Sequence, residues 1–138
     1  MRFIALLAEG CLLSDRTKEG LSLISEALKL IEETEDRFFQ SEVFRIGGEL
    51  LIKNKTRAGK RAAVSEAEAH FLKAIAIARR QQAKSFELRA TISLARLWQE
   101  TGKEKEAKAL LAQIYGWFTE GFDTPDLKDA KELLEELG

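Results

Sequence analysis

Apolar positions along the chain recur at intervals of three and four rather than two, and a single proline interrupts 138 residues. The pattern therefore predicts helices throughout and no strand. Ile4, Leu7, Ala8 and Cys11 stand at i, i+3, i+4 and i+7. The same spacing returns at Val43, Ile46, Gly47 and Leu50 and again at Thr91, Leu94, Ala95 and Trp98, and each set makes one helical face. The third member is small every time (Ala8, Gly47, Ala95), which suits a position where a partner helix must come close to the backbone. A second helix follows each first one. Its mark is a small residue, a large one four later and a third three beyond: Gly20, Ile24, Ala27; Ala67, Phe71, Ala74; Ala107, Leu111, Ile114. The periodicity is thus one of repeated helix pairs.

Four residues after each first-helix set stand Asp15, Asn54 and Gly102, types that tolerate the left-handed conformation closing a helix. Nine residues separate Cys11 from Gly20 and Trp98 from Ala107, but seventeen separate Leu50 from Ala67, so the middle repeat carries an eight-residue insertion. That insertion falls in the charged stretch 53–61, is followed by the capping box Ser65-Glu66-Ala67-Glu68, and is expected to be an exposed basic loop. Tyr115-Gly116 closes a helix, and Thr124-Pro125-Asp126 supplies an N-cap, a first-position proline and an acid for one more. The expected fold is all-α: a single domain over 1–138, built as an α-α superhelix of three helix pairs (about 1–35, 36–82 and 84–118) with a capping helix at about 125–137.

The small-residue spacing resembles the tetratricopeptide repeat, whose pattern sets Leu-Gly and Tyr in its first helix and Ala-x3-Phe in its second. Leu7-Ala8, Ile46-Gly47 and Leu94-Ala95 fill the Leu-Gly slots, Trp98 the Tyr slot, and Ala67 with Phe71 the Ala-x3-Phe slots. No repeat has the family's Trp or Pro. The starts are 39 and 48 residues apart, or 39 and 40 without the insertion, so the helices run longer than in the 34-residue repeat. The segments Ala78-Arg79-Arg80-Gln81, Ser85-Phe86-Glu87-Leu88-Arg89-Ala90, Ser93-Leu94-Ala95-Arg96-Leu97-Trp98 and the run from Tyr115 to Leu127 are similar to the helical-repeat C-terminal tail of large bacterial signalling proteins that join a nucleotide cyclase to an ATPase. The likeness covers about 37–138. In such proteins the chemistry lies upstream, so the resemblance implies a repeat module rather than a cyclase.

Composition narrows the function. The chain holds one cysteine and one histidine, too few for an internal disulfide, a thiolate zinc site or most triad chemistry. With no long apolar stretch and Glu9 interrupting the opening apolar run, a soluble, cytoplasmic protein with no membrane segment is expected. Gly59-Lys60 and Gly102-Lys103 lack the remaining residues of a phosphate loop and read as turns. His70 has no second ligand or base in view, and Cys11 occupies a core slot as a buried thiol. Glu32-Glu33 and Glu135-Glu136 read as solvated helix ends, since nothing around them would drive two carboxyl groups apart in acidity. Neither an enzyme, a metal site nor a bound cofactor is expected.

Charge is unevenly spread. Residues 1–52 hold six Lys+Arg and ten Asp+Glu, 53–96 hold eleven and three, and 97–138 hold five and ten, giving balances of −4, +8 and −5. A basic middle suits an acidic protein or peptide partner. Nucleic acid is disfavoured, because the chain as a whole is slightly acidic at net −1 and no exposed aromatics accompany the basic loop. In helical superhelices the first helix of each pair lines the concave face. On the third pair that projects Arg89, Ile92, Arg96 and Gln99; on the second, Ser41, Phe44 and Gly48; on the first, Arg2, Ala5 and Glu9. Arg89 and Arg96 are seven apart, hence on one face, where two guanidinium groups can grip a carboxylate. The competing role for them is salt bridging to Glu87, Glu100 or a neighbouring helix. The expected function is a non-catalytic protein-interaction or regulatory module with a peptide or protein partner on that face. A homo-oligomerising structural domain is the alternative, since Phe3, Ile4, Leu6, Leu7, Leu12 and Leu13 are more than one packed face can bury.

Overall fold

A computed structural model describes residues 2–14, 16–34, 37–54 and 59–138. Among them the chain is all-α, with seven helices and no strand: α1 Arg2–Leu13, α2 Thr17–Thr34, α3 Gln40–Lys53, α4 Lys60–Arg80, α5 Lys84–Glu100, α6 Glu104–Tyr115 and α7 Pro125–Leu137. No described helix is long and apolar enough to cross a membrane. Each helix packs on the next in sequence, and α1, α3, α5 and α7 also pack on one another in a row, whereas the even-numbered helices do not.

The predicted apolar spacing drives this packing. Ile24, Ala27 and Ile31 of α2 meet Ala8 of α1 and Val43, Ile46 and Leu50 of α3. Ala67, Phe71 and Ala74 of α4 meet Ala90, Leu94 and Leu97 of α5. A third cluster joins Leu88, Ile92 and Ala95 of α5 to Leu111 of α6 and Leu127, Ala130 and Leu133 of α7. Trp98 is half-buried between the last two clusters, its indole Nε1 donating to Glu68 Oε2 at 3.1 Å. The small residues do what their spacing implied: a Cβ on Gly47 would lie 3.1 Å from Ile24 Cγ2 and 3.2 Å from His70 Cδ2, so both helices lie close to that backbone.

Several local expectations give way. Leu7 was expected on a packed face but is 46% exposed, because α1 packs only on α2 and α3 among the described helices, whereas Ile46 lies on α3 and Leu94 on α5, each packed against four other helices. Asn54 does not adopt the left-handed conformation (φ −87°); its N–H donates to Leu50 O and its Oδ1 accepts from Thr17 Oγ1 at 2.9 Å, tying the end of α3 to the start of α2. Gly102 is left-handed (φ +85°), while Asp15 lies outside the described residues.

The basic insertion is not wholly a loop. Helix α4 begins at Lys60, with Gly59 as its N-cap, so Ser65 sits inside the helix and the capping box caps nothing. Lys60, Arg61, Ala62 and Ala63 are all good helix formers, and that propensity carries the helix back through the motif. The rest of the loop, 55–58, lies outside the described residues. Thr124 does stand at the N-cap of α7, but its hydroxyl donates to Gly121 O at 2.7 Å and accepts no N–H from the helix.

Candidate functional site

The row of odd-numbered helices makes one polar face, and α5 forms its floor. Arg89, Ile92, Ser93 and Arg96 lie at helical spacing along α5 and line a cavity of about 250 Å³ walled by Arg45 and Glu49 of α3 and Asp126 and Asp129 of α7. Arg89 also belongs to the adjoining cavity of about 180 Å³, whose other walls are Leu6 and Glu9 of α1, Phe39 before α3, Glu42 and Phe86. One groove therefore crosses four helices, with Arg89 at its centre.

Its charges are arranged against one another. Glu42 is buried, and Arg45, one helical turn on, donates from Nε to Glu42 Oε2 at 2.6 Å. Arg89 Nη1 donates to the other oxygen, Glu42 Oε1. Arg89 also lies 3.7 Å from Glu9 Oε1 through Nη2 and 3.7 Å from Asp126 Oδ2 through Nε, so three helices supply its counter-charges. Burial pushes the Arg45 pKa down, but the Glu42, Glu9 and Glu49 carboxylates more than offset this and leave it raised. Arg45 is thus a fixed cation. Arg96 Nη2 is 3.5 Å from Asp129 Oδ2, and Gln99 Nε2 donates to Glu136 Oε2 at 3.3 Å. Both partners belong to α7.

The sequence-predicted residues divide here. Arg89, Ile92, Arg96 and Gln99 all front α5 toward α7, although Ile92 is mostly covered by the apolar cluster beneath it. Ser41, Phe44 and Gly48 do not share that face. Ser41 is buried with its hydroxyl donating to Ala74 O of α4 at 2.8 Å, Phe44 packs its ring against His70 of α4, and a Cβ on Gly48 would meet the Phe71 ring at 2.5 Å. Small residues at 41, 47 and 48 bring α4 close and turn this side of α3 toward it, so Glu42, Arg45 and Glu49, one residue further along, face the groove instead. The α1 residue Glu9 reaches the groove, while the side chains of Arg2 and Ala5 lie outside those described. The salt bridges of Arg89 run to neighbouring helices and not to Glu87, which instead accepts from Arg79 at 3.1 Å and lies 3.5 Å from Lys84.

Sequence reasoning passed over Glu42 and Arg45, and offered Glu87 only as a partner for Arg89 and Arg96. A signal existed for Glu42 and Arg45: they are three apart and flank Val43 and Ile46, so charges interleave with core positions, as in a buried pair. His70 takes a structural place, its Nδ1–H donating to Glu66 O at 2.9 Å. Among the described residues no cluster of His, Cys, Asp or Glu is arranged to hold a metal ion. No protein-family model, curated protein or solved structure matches the chain.

Proposed function

We propose that this chain is a non-catalytic interaction module, a superhelix of three tetratricopeptide-like helix pairs closed by a capping helix, that binds an acidic peptide or protein segment along the row of odd-numbered helices. The observation that carries the reading is the edge-to-edge packing of α1, α3, α5 and α7, which gathers Arg89 and Arg96 onto one groove, with Gln99 reaching α7 one turn further along α5. Each presents donors already engaged by a carboxylate of α7, so the groove has an affinity for acids that the chain itself illustrates. Exchange is cheap: exposed ion pairs of the Arg96–Asp129 kind are worth about 0–1 kcal/mol, and a partner carboxylate that binds bidentately replaces them with a stronger contact. The likeness of 37–138 to the repeat tails of bacterial cyclase and ATPase signalling proteins fits a regulatory, cytoplasmic role.

The test is a double variant, Arg89→Gln with Arg96→Glu, measured by calorimetry against the partner retained from a lysate of the source cells. Gln at 89 avoids setting a second carboxylate beside buried Glu42. The variant loses binding while its helical melt stays near that of the parent. Unchanged capture overturns the groove as the site. The alternative, self-association, draws on the exposed leucines of α1, Leu6, Leu7 and Leu13. Light scattering separates the two: a mass that stays at 15.5 kDa across concentrations excludes it.

A further inference from the structure

We infer that the hollow between Phe38 and Phe86, where residues 37–38 meet the α4–α5 connection and the start of α5, seats the large apolar side chain of an acidic peptide segment. Gln81 Nε2 donates to Arg37 O at 2.7 Å across this place, and Lys84 Nζ stands 5.5 Å from the centre of the Trp117 ring beyond it. The hollow has a volume of about 590 Å³ and is lined by Arg37, Phe38, Ala83, Lys84, Ser85 and Phe86 with Gln81. That is room for a phenylalanine or leucine side chain and the backbone that carries it. Phe38 is 65% exposed, an apolar ring that a partner would cover at a gain.

The hollow continues. Lys84 and Ser85 also line a second cavity, of about 680 Å³, with Arg79, Gln82, Trp117 and Phe118. An elongated track of this kind suits an extended peptide. Charge complementarity specifies its sign: the described residues lining the two cavities include Arg37, Arg79 and Lys84 and no acid. Glu87, which both Arg79 and Lys84 approach, is buried beneath them and leaves Arg79 half exposed. Arg80 follows on the same exposed turn.

Ring geometry favours a peptide over nucleic acid. Base stacking needs aromatic faces open in succession. Here Phe38 meets Phe39 edge-on at 4.7 Å and Phe86 edge-on at 6.1 Å, closing the walls of a hollow, and the Trp117 ring is capped by Lys84 and met edge-on by Phe118 at 5.1 Å. The segment at the α4–α5 connection is also held in a costly conformation. Gln82 is left-handed (φ 55°), which lets Ala83 N–H reach Ala78 O at 2.8 Å and turns the chain sharply beside both cavities.

This inference stands on residues separate from Arg89 and Arg96. The experiment is fluorescence polarisation with four labelled probes: a synthetic peptide of one phenylalanine flanked by aspartates and glutamates, the same peptide with alanine for phenylalanine, the phenylalanine peptide flanked by lysines, and a short oligothymidylate. The acidic phenylalanine peptide binds, and the alanine peptide binds about tenfold more weakly for want of the buried ring. Phe38→Ala weakens the first probe by a similar factor, and Lys84→Gln weakens it by about threefold and flattens its salt dependence. Circular dichroism checks that both variants stay folded. Equal affinity for the phenylalanine and alanine peptides, indifference to Phe38→Ala, tighter binding of the lysine peptide or of the oligothymidylate, or no saturable binding at millimolar peptide each overturns it. A peptide released by Arg96→Glu but not by Phe38→Ala also overturns it, and leaves the groove reading standing.

Discussion

Around Arg89 every described arginine of the groove faces a carboxylate of the chain: Arg45 and Arg89 share Glu42, Arg89 reaches Glu9 and Asp126, and Arg96 reaches Asp129. Around Phe38 and Phe86, Arg37, Arg79 and Lys84 rim an apolar hollow to which no described acid contributes. The same residue types thus serve two ends. In the groove the cations tie four helices together, and a ligand has to displace an internal partner. At the hollow the cations already meet Glu87 and the Trp117 ring but stay partly exposed, and the Phe38 ring is 65% exposed, so a ligand there would add apolar burial that the groove does not offer. In the groove each arginine is matched by acids from several helices, whereas at the hollow Arg79 and Lys84 share the single buried carboxylate of Glu87.

The contrast is testable through stability, beginning where the effect is largest. Glu42→Ala removes the carboxylate that two arginines share and strands Arg45 in a buried site, so it should cost about 3–5 kcal/mol in a urea melt. The matching change at the hollow, Lys84→Gln, should cost less than about 1 kcal/mol, because its pairing with Glu87 is partly exposed. Equal costs would erase the distinction between the two regions.

Gly48→Ala probes why α3 turns Glu42 and Arg45 toward the groove. Helix propensity favours alanine by about 1 kcal/mol, but the new methyl would press on the buried Phe71 ring, and overpacking of about 1–3 kcal/mol wins. Gly10→Ala, where a Cβ meets nothing within 4 Å, keeps only the propensity term and should stabilise α1 by about 0.5–1 kcal/mol. Thermal melts of the two variants should therefore move in opposite directions.

Smaller effects sharpen the picture further. Asp126→Asn with Asp129→Asn should cost about 1 kcal/mol or less, since both pairs to α5 are partly exposed, and Leu127, Ala130 and Leu133 should keep α7 docked. Hydrogen exchange of α7 that rises to the level of a frayed segment would instead make its acids the main tether. Phe38→Ala should cost about 1 kcal/mol in the melt, since the largely exposed ring still loses its edge-on contacts to Phe39 and Phe86.

The helices were legible because their cause is local. Val43, Ile46, Gly47 and Leu50 announce a packed face by spacing alone, and the small residues at 20, 47, 67 and 74 announce close approach. Pro125 and Gly102 likewise mark a start and a stop through their own backbone preferences. The α4 start was misread for the same reason turned around: a capping box is a strong local signal, but a run of helix formers before it made a longer helix lower in energy.

What the sequence by itself determined is therefore the all-α composition, the order of the helices, the buried face of most of them, and the placing of Arg89 and Arg96 on one side of α5. Tertiary structure alone decided which way α3 turns, because that depends on Phe71 of α4 lying over Gly48, a contact between residues far apart in the chain. It alone decided that the groove arginines are neutralised, since the acids come from α1, α3 and α7 and no spacing along α5 foretells them. It alone built the hollow at Phe38 and Phe86, whose walls come from Arg37 and Phe38 before α3, from Gln81 and Ala83 before α5 and from the first turn of α5. Periodicity reports which face of a helix is apolar; only the packing of one helix on another fixes what that face, and the charged one opposite, will meet.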